Sequence, residues 1–266
     1  MALLLAIFFW AVATVTVAVF VGRVWWPPEL VSVHGAALDQ QMVLTLIIAG
    51  VAFFLAQAGL GWFIWRYRAR GVERAVYWHE SPKLEMTWTL VTAIVFVGLG
   101  IRGNQVWAGY FLTDAPPGAL TIEVTAQQFA WNIRYPGPDG KFGRTDPALM
   151  DDSVANYLGL DRKDPASADD ITTQNIMAVP VNRPVRVILR SKDVTHSFFV
   201  PQLRVKQDAV PGMAIRIHFT ATKPGEYEIA CAELCGMQHY KIRGRLLVMP
   251  EAEFADWLKE RAARNQ

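Results

Sequence analysis

Apolar and polar residues are unevenly distributed along the 266 residues. Three long apolar runs fill the first 110 positions: ALLLAIFFWAVATVTVAVFVG at 2–22, MVLTLIIAGVAFFLAQAGLGWFIW at 42–65, and MTWTLVTAIVFVGLGI at 86–101, extending toward Trp107. About 20 mainly apolar residues cross a bilayer core. The pattern therefore predicts transmembrane helices over about 2–24, 41–65 and 86–108, within an anchor covering 1–110. No basic residue precedes the first run, and RVWWPP rather than a small-residue cleavage site follows it. It reads as a retained helix and not as a signal peptide. Gly98, Gly100 and Gly103 in the third suit close packing against a partner helix.

From about residue 119 the pattern changes to short pieces with turn residues between them. ALTIEVTAQQFAWNIRY, VNRPVRVILRSKD, AIRIHFTATKPGEYEIAC and RGRLLVMP read as strands. Alternation in PVRVILR and MAIRIHF argues for strands with one buried face. The predicted fold is a membrane-anchored all-β protein, its 115–250 domain a sandwich or Greek-key barrel. EAEFADWLKERAARN, within 251–266, reads as a closing surface helix. A Gly-, Pro- and Asp-rich stretch at about 137–177 reads as a long surface insertion. Residues 139–170 hold eight Asp and four Lys or Arg, either a solvated loop or an acidic patch for a basic partner.

Charge fixes the expected orientation. The loop after the second run carries Arg66, Arg68, Arg70, Arg74 and Lys83 against Glu73 and Glu80, whereas the preceding loop has only Arg23. The positive-inside rule places the Arg-rich loop in the cytoplasm and the large carboxy-terminal domain outside. Trp25, Trp26, Trp65 and Trp107 stand where interfacial aromatics belong. The net charge of +2, with no basic block, excludes a nucleic-acid-binding class.

The chemistry concentrates in CAELCGMQHYKIRG, 231–244, which holds both cysteines of the chain and His239. Upstream, His196 lies in SKDVTHSFFVPQLRVKQDAVPG beside Phe198 and Phe199. An extracytoplasmic domain permits a disulfide. Sulfur and imidazole together suit copper or zinc, and two Cys with two His would also close a tetrahedral zinc site. Ligand count leaves both metals open.

The block VTHSFFVPQLRVKQDAVPG followed by CAELCGMQHYKIRG resembles subunit II of haem-copper oxidases. LEMTWTLVTAI at 84–94 is similar to that family's membrane signature, and QQFAWNIRYPG at 127–137 to its aromatic segment. The resemblance implies a cupredoxin-like Greek-key barrel holding the binuclear copper centre called CuA. It implies Cys231 and Cys235 as bridging thiolates, His196 and His239 as terminal ligands, and the Glu233 carbonyl as a further ligand. The Glu233 carboxylate, with Asp208, would face a magnesium ion at the interface with the catalytic subunit. Glu85 would stand at the mouth of a proton path, unless it is simply a charge at a helix end. Phe129, where the family often has Trp, and Trp131 are the electron-entry candidates.

Where the family pattern has a methionine after the second histidine, this chain has Ile242, which cannot coordinate; Met237 is the nearest substitute. No Cys-x-x-Cys-His haem-attachment segment occurs, so a separate donor is expected. The resemblance thus implies an electron-transfer subunit of a terminal oxidase. It would sit in a bacterial-type inner membrane, multi-pass and in contact with lipid, its soluble domain on the periplasmic or extracellular side. Its partners would be cytochrome c or a similar donor and a haem-copper catalytic subunit. A nitric oxide reductase on the same scaffold is the alternative. A membrane-anchored copper chaperone is the minor one, disfavoured because a strand follows His239 directly.

Overall fold

The computed structural model describes residues 1–71, 74 and 76–265. Glu73, counted among the loop charges, lies outside them. The chain forms two compact units, one of residues 1–26 and 37–109, the other of 27–36 and 110 onward.

Three long helices carry the first unit: α1 (Ala2–Val21), α2 (Gly35–Arg66) and α3 (Pro82–Phe111). Each is long and apolar enough to cross a membrane. Leu4, Val15, Leu55 and Phe96 are all exposed in the chain, as helices covered by lipid or a partner require. α1 rests on α2, where Trp10 Nε1 donates to the Ala58 carbonyl at 3.2 Å. Gly61 makes room for that indole, since a Cβ there would lie 2.5 Å from its nitrogen. Gly98 and Gly100 face open space within the chain. α2 and α3 extend beyond the expected 41–65 and 86–108 because the apolar runs mark only their lipid-facing centres. Polar turns such as Asp39–Gln41 continue α2, and Pro82 opens α3.

The second unit is a two-sheet β-sandwich. Its strands are β1 (Leu120–Gln127), β2 (Ala130–Tyr135), β3 (Ile171–Gln174), β4 (Ile176–Pro180), β5 (Pro184–Ser191), β6 (His196–Val200), β7 (Val205–Ala209), β8 (Ile215–Thr220), β9 (Gly225–Cys231) and β10 (Arg243–Met249). One sheet has the order β3-β2-β1-β5-β8, the other β4-β10-β9-β6-β7. Alternation places Val185, Val187 and Leu189 of β5 inward. They share the core with Ile122, Val124, Trp131 and Ile133 of their own sheet and with Phe198, Val200, Ile229 and Leu246 of the other. "All-β" therefore describes the sandwich and not the chain, which adds the three long helices and a closing helix. That last helix, α5 (Glu251–Asn265), packs Phe254 and Trp257 against Tyr135.

The insertion is shorter and more ordered than 137–177 suggests. β3 begins at Ile171 and pairs with β2, and β4 pairs with β10, so only residues 136–170 are inserted. The polar ITTQ hid an edge strand. A four-residue helix, α4 (Pro165–Ala168), closes the insertion. The aspartates serve its own structure. Asp146, Asp151 and Asp164 accept backbone N–H groups at the starts of short turns. Asp161 pairs with Arg144, and Asp170 with buried Arg134. These internal roles replace the acidic-patch reading for those five carboxylates.

Candidate metal centre

β6 and β9 are antiparallel neighbours, with Phe198 opposite Cys231. This register brings His196, at the start of β6, beside Cys231, at the end of β9. After β9 the chain turns back through residues 232–238 into a single 3-10 turn, His239–Lys241, and then β10. The spacing of the two cysteines matches that return. Their sulfurs lie 3.8 Å apart, both as free thiols.

Each sulfur has its own imidazole. His196 Nδ1 is 4.0 Å from Cys231 Sγ, and His239 Nδ1 is 3.5 Å from Cys235 Sγ. The Glu233 carbonyl lies 3.2 Å from Cys231 Sγ. His196, Cys231 and Cys235 form a group whose ligand atoms all lie within 4.8 Å of one another. Two soft sulfurs, two flanking imidazole nitrogens and a carbonyl oxygen form a donor set that suits copper.

Electrostatics prepare the donors unequally. Burial pushes the Cys231 thiol up, but hydrogen bonds with His196 and the backbone outweigh it and hold the thiol at about 6. Burial and the neighbouring Cys231 thiolate push Cys235 up to about 12. Burial pulls the His196 imidazolium down, yet Cys231 and Asp193 together hold it above its ordinary value. Metal entry would therefore displace the proton of Cys235.

Asp193 was not among the residues expected here. Its Oδ1 lies 2.8 Å from His196 Nε2, and its Oδ2 accepts the Gln128 amide at 2.7 Å. A carboxylate on the outer nitrogen fixes a ligand histidine's tautomer and ring orientation. The Asp-x-x-His spacing in the sequence is the signal that could have found it. Gln128 also donates from Nε2 to the Cys235 carbonyl at 2.6 Å. Gly236 permits that approach, since its φ is +134° and a Cβ would lie 2.7 Å from Gln128 Nε2.

The remaining candidates separate. Trp131 is fully buried, edge-on to His196 at 6.3 Å and to Phe198 at 5.6 Å, so it offers no surface to a donor. Phe129 is partly buried against the core and lies under Gly236, close to the site. Asp208 on β7 is paired with Ser197, one step from His196 along β6. Glu233 is exposed. Glu85 is exposed in the first turn of α3 and takes no part in the cluster. Ile242 is 1% exposed and belongs to the core, whereas Met237 is 96% exposed and projects away. A buried isoleucine thus stands where the resemblance implies a thioether, and exposed Met237 does not replace it.

Comparison with known proteins identifies the family. Residues 120–244 match the family described as cytochrome c oxidase subunit II, periplasmic domain. The chain is 32% identical over 259 residues to an alternative cytochrome c oxidase subunit 2 of Bradyrhizobium diazoefficiens, covering 94% of this chain and 91% of the relative. It is 32% identical over 230 residues to a cytochrome c oxidase subunit 2 of Cereibacter sphaeroides, covering 82% and 73%. Among solved structures, the periplasmic domain of cytochrome oxidase subunit II of Bradyrhizobium japonicum is 32% identical, with a TM-score of 0.42, over 57% of this chain and 99% of that one. With three apolar helices, a β-sandwich and this near full-length identity, the chain belongs to the cytochrome c oxidase subunit II family, as a membrane-anchored subunit of a haem-copper oxidase.

Proposed function

We propose that this subunit is the electron-entry point of its oxidase, taking electrons from cytochrome c or a similar carrier and passing them to haem in the catalytic subunit. The observation that carries the reading is the pair of sulfurs 3.8 Å apart with one imidazole Nδ1 beside each. Cys231 and Cys235 would bridge two coppers, His196 and His239 would each bind one, and the Glu233 carbonyl would complete one of them. Bound copper supplies a one-electron carrier whose charge change is shared through the two thiolates.

The chain's own residues do the rest. Asp193 holds the His196 ring, and Gln128 ties Asp193 to the cysteine loop. Rigid ligands leave little to rearrange when an electron arrives. Phe198, Ile242 and Trp131 keep water from the inner side of the site. Ile242 cannot donate a thioether, and the lack of that weak donor would raise the potential of bound copper by favouring Cu(I). Phe129, partly buried beside Gly236, is assigned as the electron-entry residue.

The β-sandwich is read as a cupredoxin-like Greek-key barrel on the periplasmic side of a bacterial-type inner membrane. Glu233 and Asp208 are assigned to a magnesium-bearing face toward the catalytic subunit, and Glu85 to the cytoplasmic mouth of a proton path. Oxygen is favoured over nitric oxide as terminal acceptor because the similar relatives bear the name cytochrome c oxidase.

Order of reduction tests this role. When the assembled complex is mixed anaerobically with reduced cytochrome c, the copper absorption should bleach before the haem bands change. Haem reduction with no earlier copper phase would contradict it.

A further inference from the structure

A second concentration of charge lies on the outer face of the β3-β2-β1-β5-β8 sheet, outside the cysteine site. β8 is an edge strand whose Ile217 and Phe219 are buried, so Arg216 and His218 project outward. On β5, Val185 and Val187 face the core, and Arg186 projects outward directly opposite His218. The segment following Phe111 completes the lining, with Thr113 Oγ1 3.3 Å from His218 Nε2. The result is a pocket of about 190 Å³ lined by Thr113, Asp114, Arg186, Arg216 and His218.

The charges of this pocket are unspent. Arg186 Nε is buried without a hydrogen-bond partner in the chain. Neither arginine enters an ion pair among the described residues, and neither does Asp114, although all three line one small cavity. A buried unpaired guanidinium N–H is costly. Two guanidinium forks are suited to phosphate oxygens, and the exposed Asp114 carboxylate on the same lining can take a cation. The complementary ligand carries a phosphate and an ammonium a short distance apart.

Position along the chain indicates the source. Thr113 is two residues beyond the end of α3, a membrane-spanning segment, and so within ~7 Å of chain from it. The headgroup layer adds roughly 5–8 Å to each side of the hydrocarbon core. The volume is below the ~300 Å³ at which drug-sized ligands fit, enough for a headgroup and too little for its acyl chains. We infer that this pocket binds the phosphoethanolamine headgroup of a membrane phospholipid. Arg186, Arg216 and His218 hold the phosphate, and Asp114 holds the ammonium. The assignment is independent of copper at the cysteine site.

The full-length chain, delipidated in a non-phospholipid detergent, is titrated with short-chain phosphatidylethanolamine and followed by native mass spectrometry. One lipid should bind per chain, about tenfold more tightly than phosphatidylglycerol of the same chain length. Arg186→Gln should weaken it about tenfold, and Arg216→Gln, at an exposed edge position, provides the same test should the first variant fail to fold. Asp114→Asn should abolish the preference over phosphatidylglycerol, while Arg243→Gln on the other sheet should change nothing. Free phosphoethanolamine should compete, and inorganic phosphate should compete far less. Equal competition by inorganic phosphate would make this a plain anion site and overturn the assignment. Unchanged lipid binding in both arginine variants would do the same. Loss of the catalytic subunit from the purified complex at unchanged lipid content would show a partner protein covering the pocket, and would also overturn it.

Discussion

Cys235→Ser is expected to abolish the two-copper spectrum and to cut cytochrome c oxidation by the assembled complex more than ~100-fold. The magnitude follows from the geometry. Cys235 Sγ lies between Cys231 Sγ at 3.8 Å and His239 Nδ1 at 3.5 Å, so it belongs to both halves of the site. A serine oxygen is harder, and it ionises far less readily than a thiol, so it would not bridge two coppers. Removing only an outer-shell partner typically lowers metal affinity ~10–100-fold. Asp193→Asn, which alters only the group orienting His196, should fall in that lower range and keep the spectral type. Steady-state oxidation of reduced cytochrome c, beside copper content per complex, distinguishes the two. Near-normal turnover in Cys235→Ser would mean that electrons reach haem by a route that avoids this subunit's cysteines.

The second large effect concerns stability. Arg134 on β2 and Asp170 at the end of the insertion form an ion pair with side chains 2% and 0% exposed. Asp170 Oδ2 also accepts the Gly143 amide at 3.0 Å, and Arg134 donates to Glu123 at 3.3 Å. Burial pushes the Asp170 carboxyl up more than Arg134 pulls it down, so the pair itself adds little net stability. Breaking it is another matter, because Asp170→Ala removes the carboxylate that accepts from both Nε and Nη2 of buried Arg134, leaving only the Glu123 carboxylate to balance its charge. Such a loss costs about 3–5 kcal/mol, or ~10 °C in the unfolding midpoint of a domain this size. Thermal unfolding of the full-length chain in detergent measures it. Asp161→Ala, which frees the exposed Arg144 and one backbone amide, should lower the midpoint far less. Equal shifts in the two variants would show that burial of Arg134 is not what matters.

The site and the fold were legible to different depths. The cysteine spacing and the two histidines could be read because ligand identity is a property of residue type and interval. The convergence of β6 with β9, which sets His196 beside Cys231, follows from strand pairing and not from any local signal. Trp131 reads as a possible entry point because an aromatic in a strand looks the same in sequence whether it faces inward or outward; in the fold it is fully buried. Asp193 went unread because its partner atom is the far nitrogen of a ligand histidine. The membrane helices were visible as apolar runs, and their ends were not, since helices continue through polar turns once nucleated. The Asp-rich insertion misled through composition. Its carboxylates cap turns and pair with arginines, where composition alone suggested solvent or a partner.

Ile242 stands where the resemblance implies a methionine, and the cysteines and histidines are proposed to assemble a copper pair without a thioether. Copper content and the EPR spectrum of the full-length chain, loaded with copper and compared with Ile242→Met, test that claim most directly. Two coppers per chain sharing one unpaired electron, with the Ile242→Met potential lower than that of the native chain, is the predicted result. One copper per chain with a localised signal, or no bound copper, would contradict it.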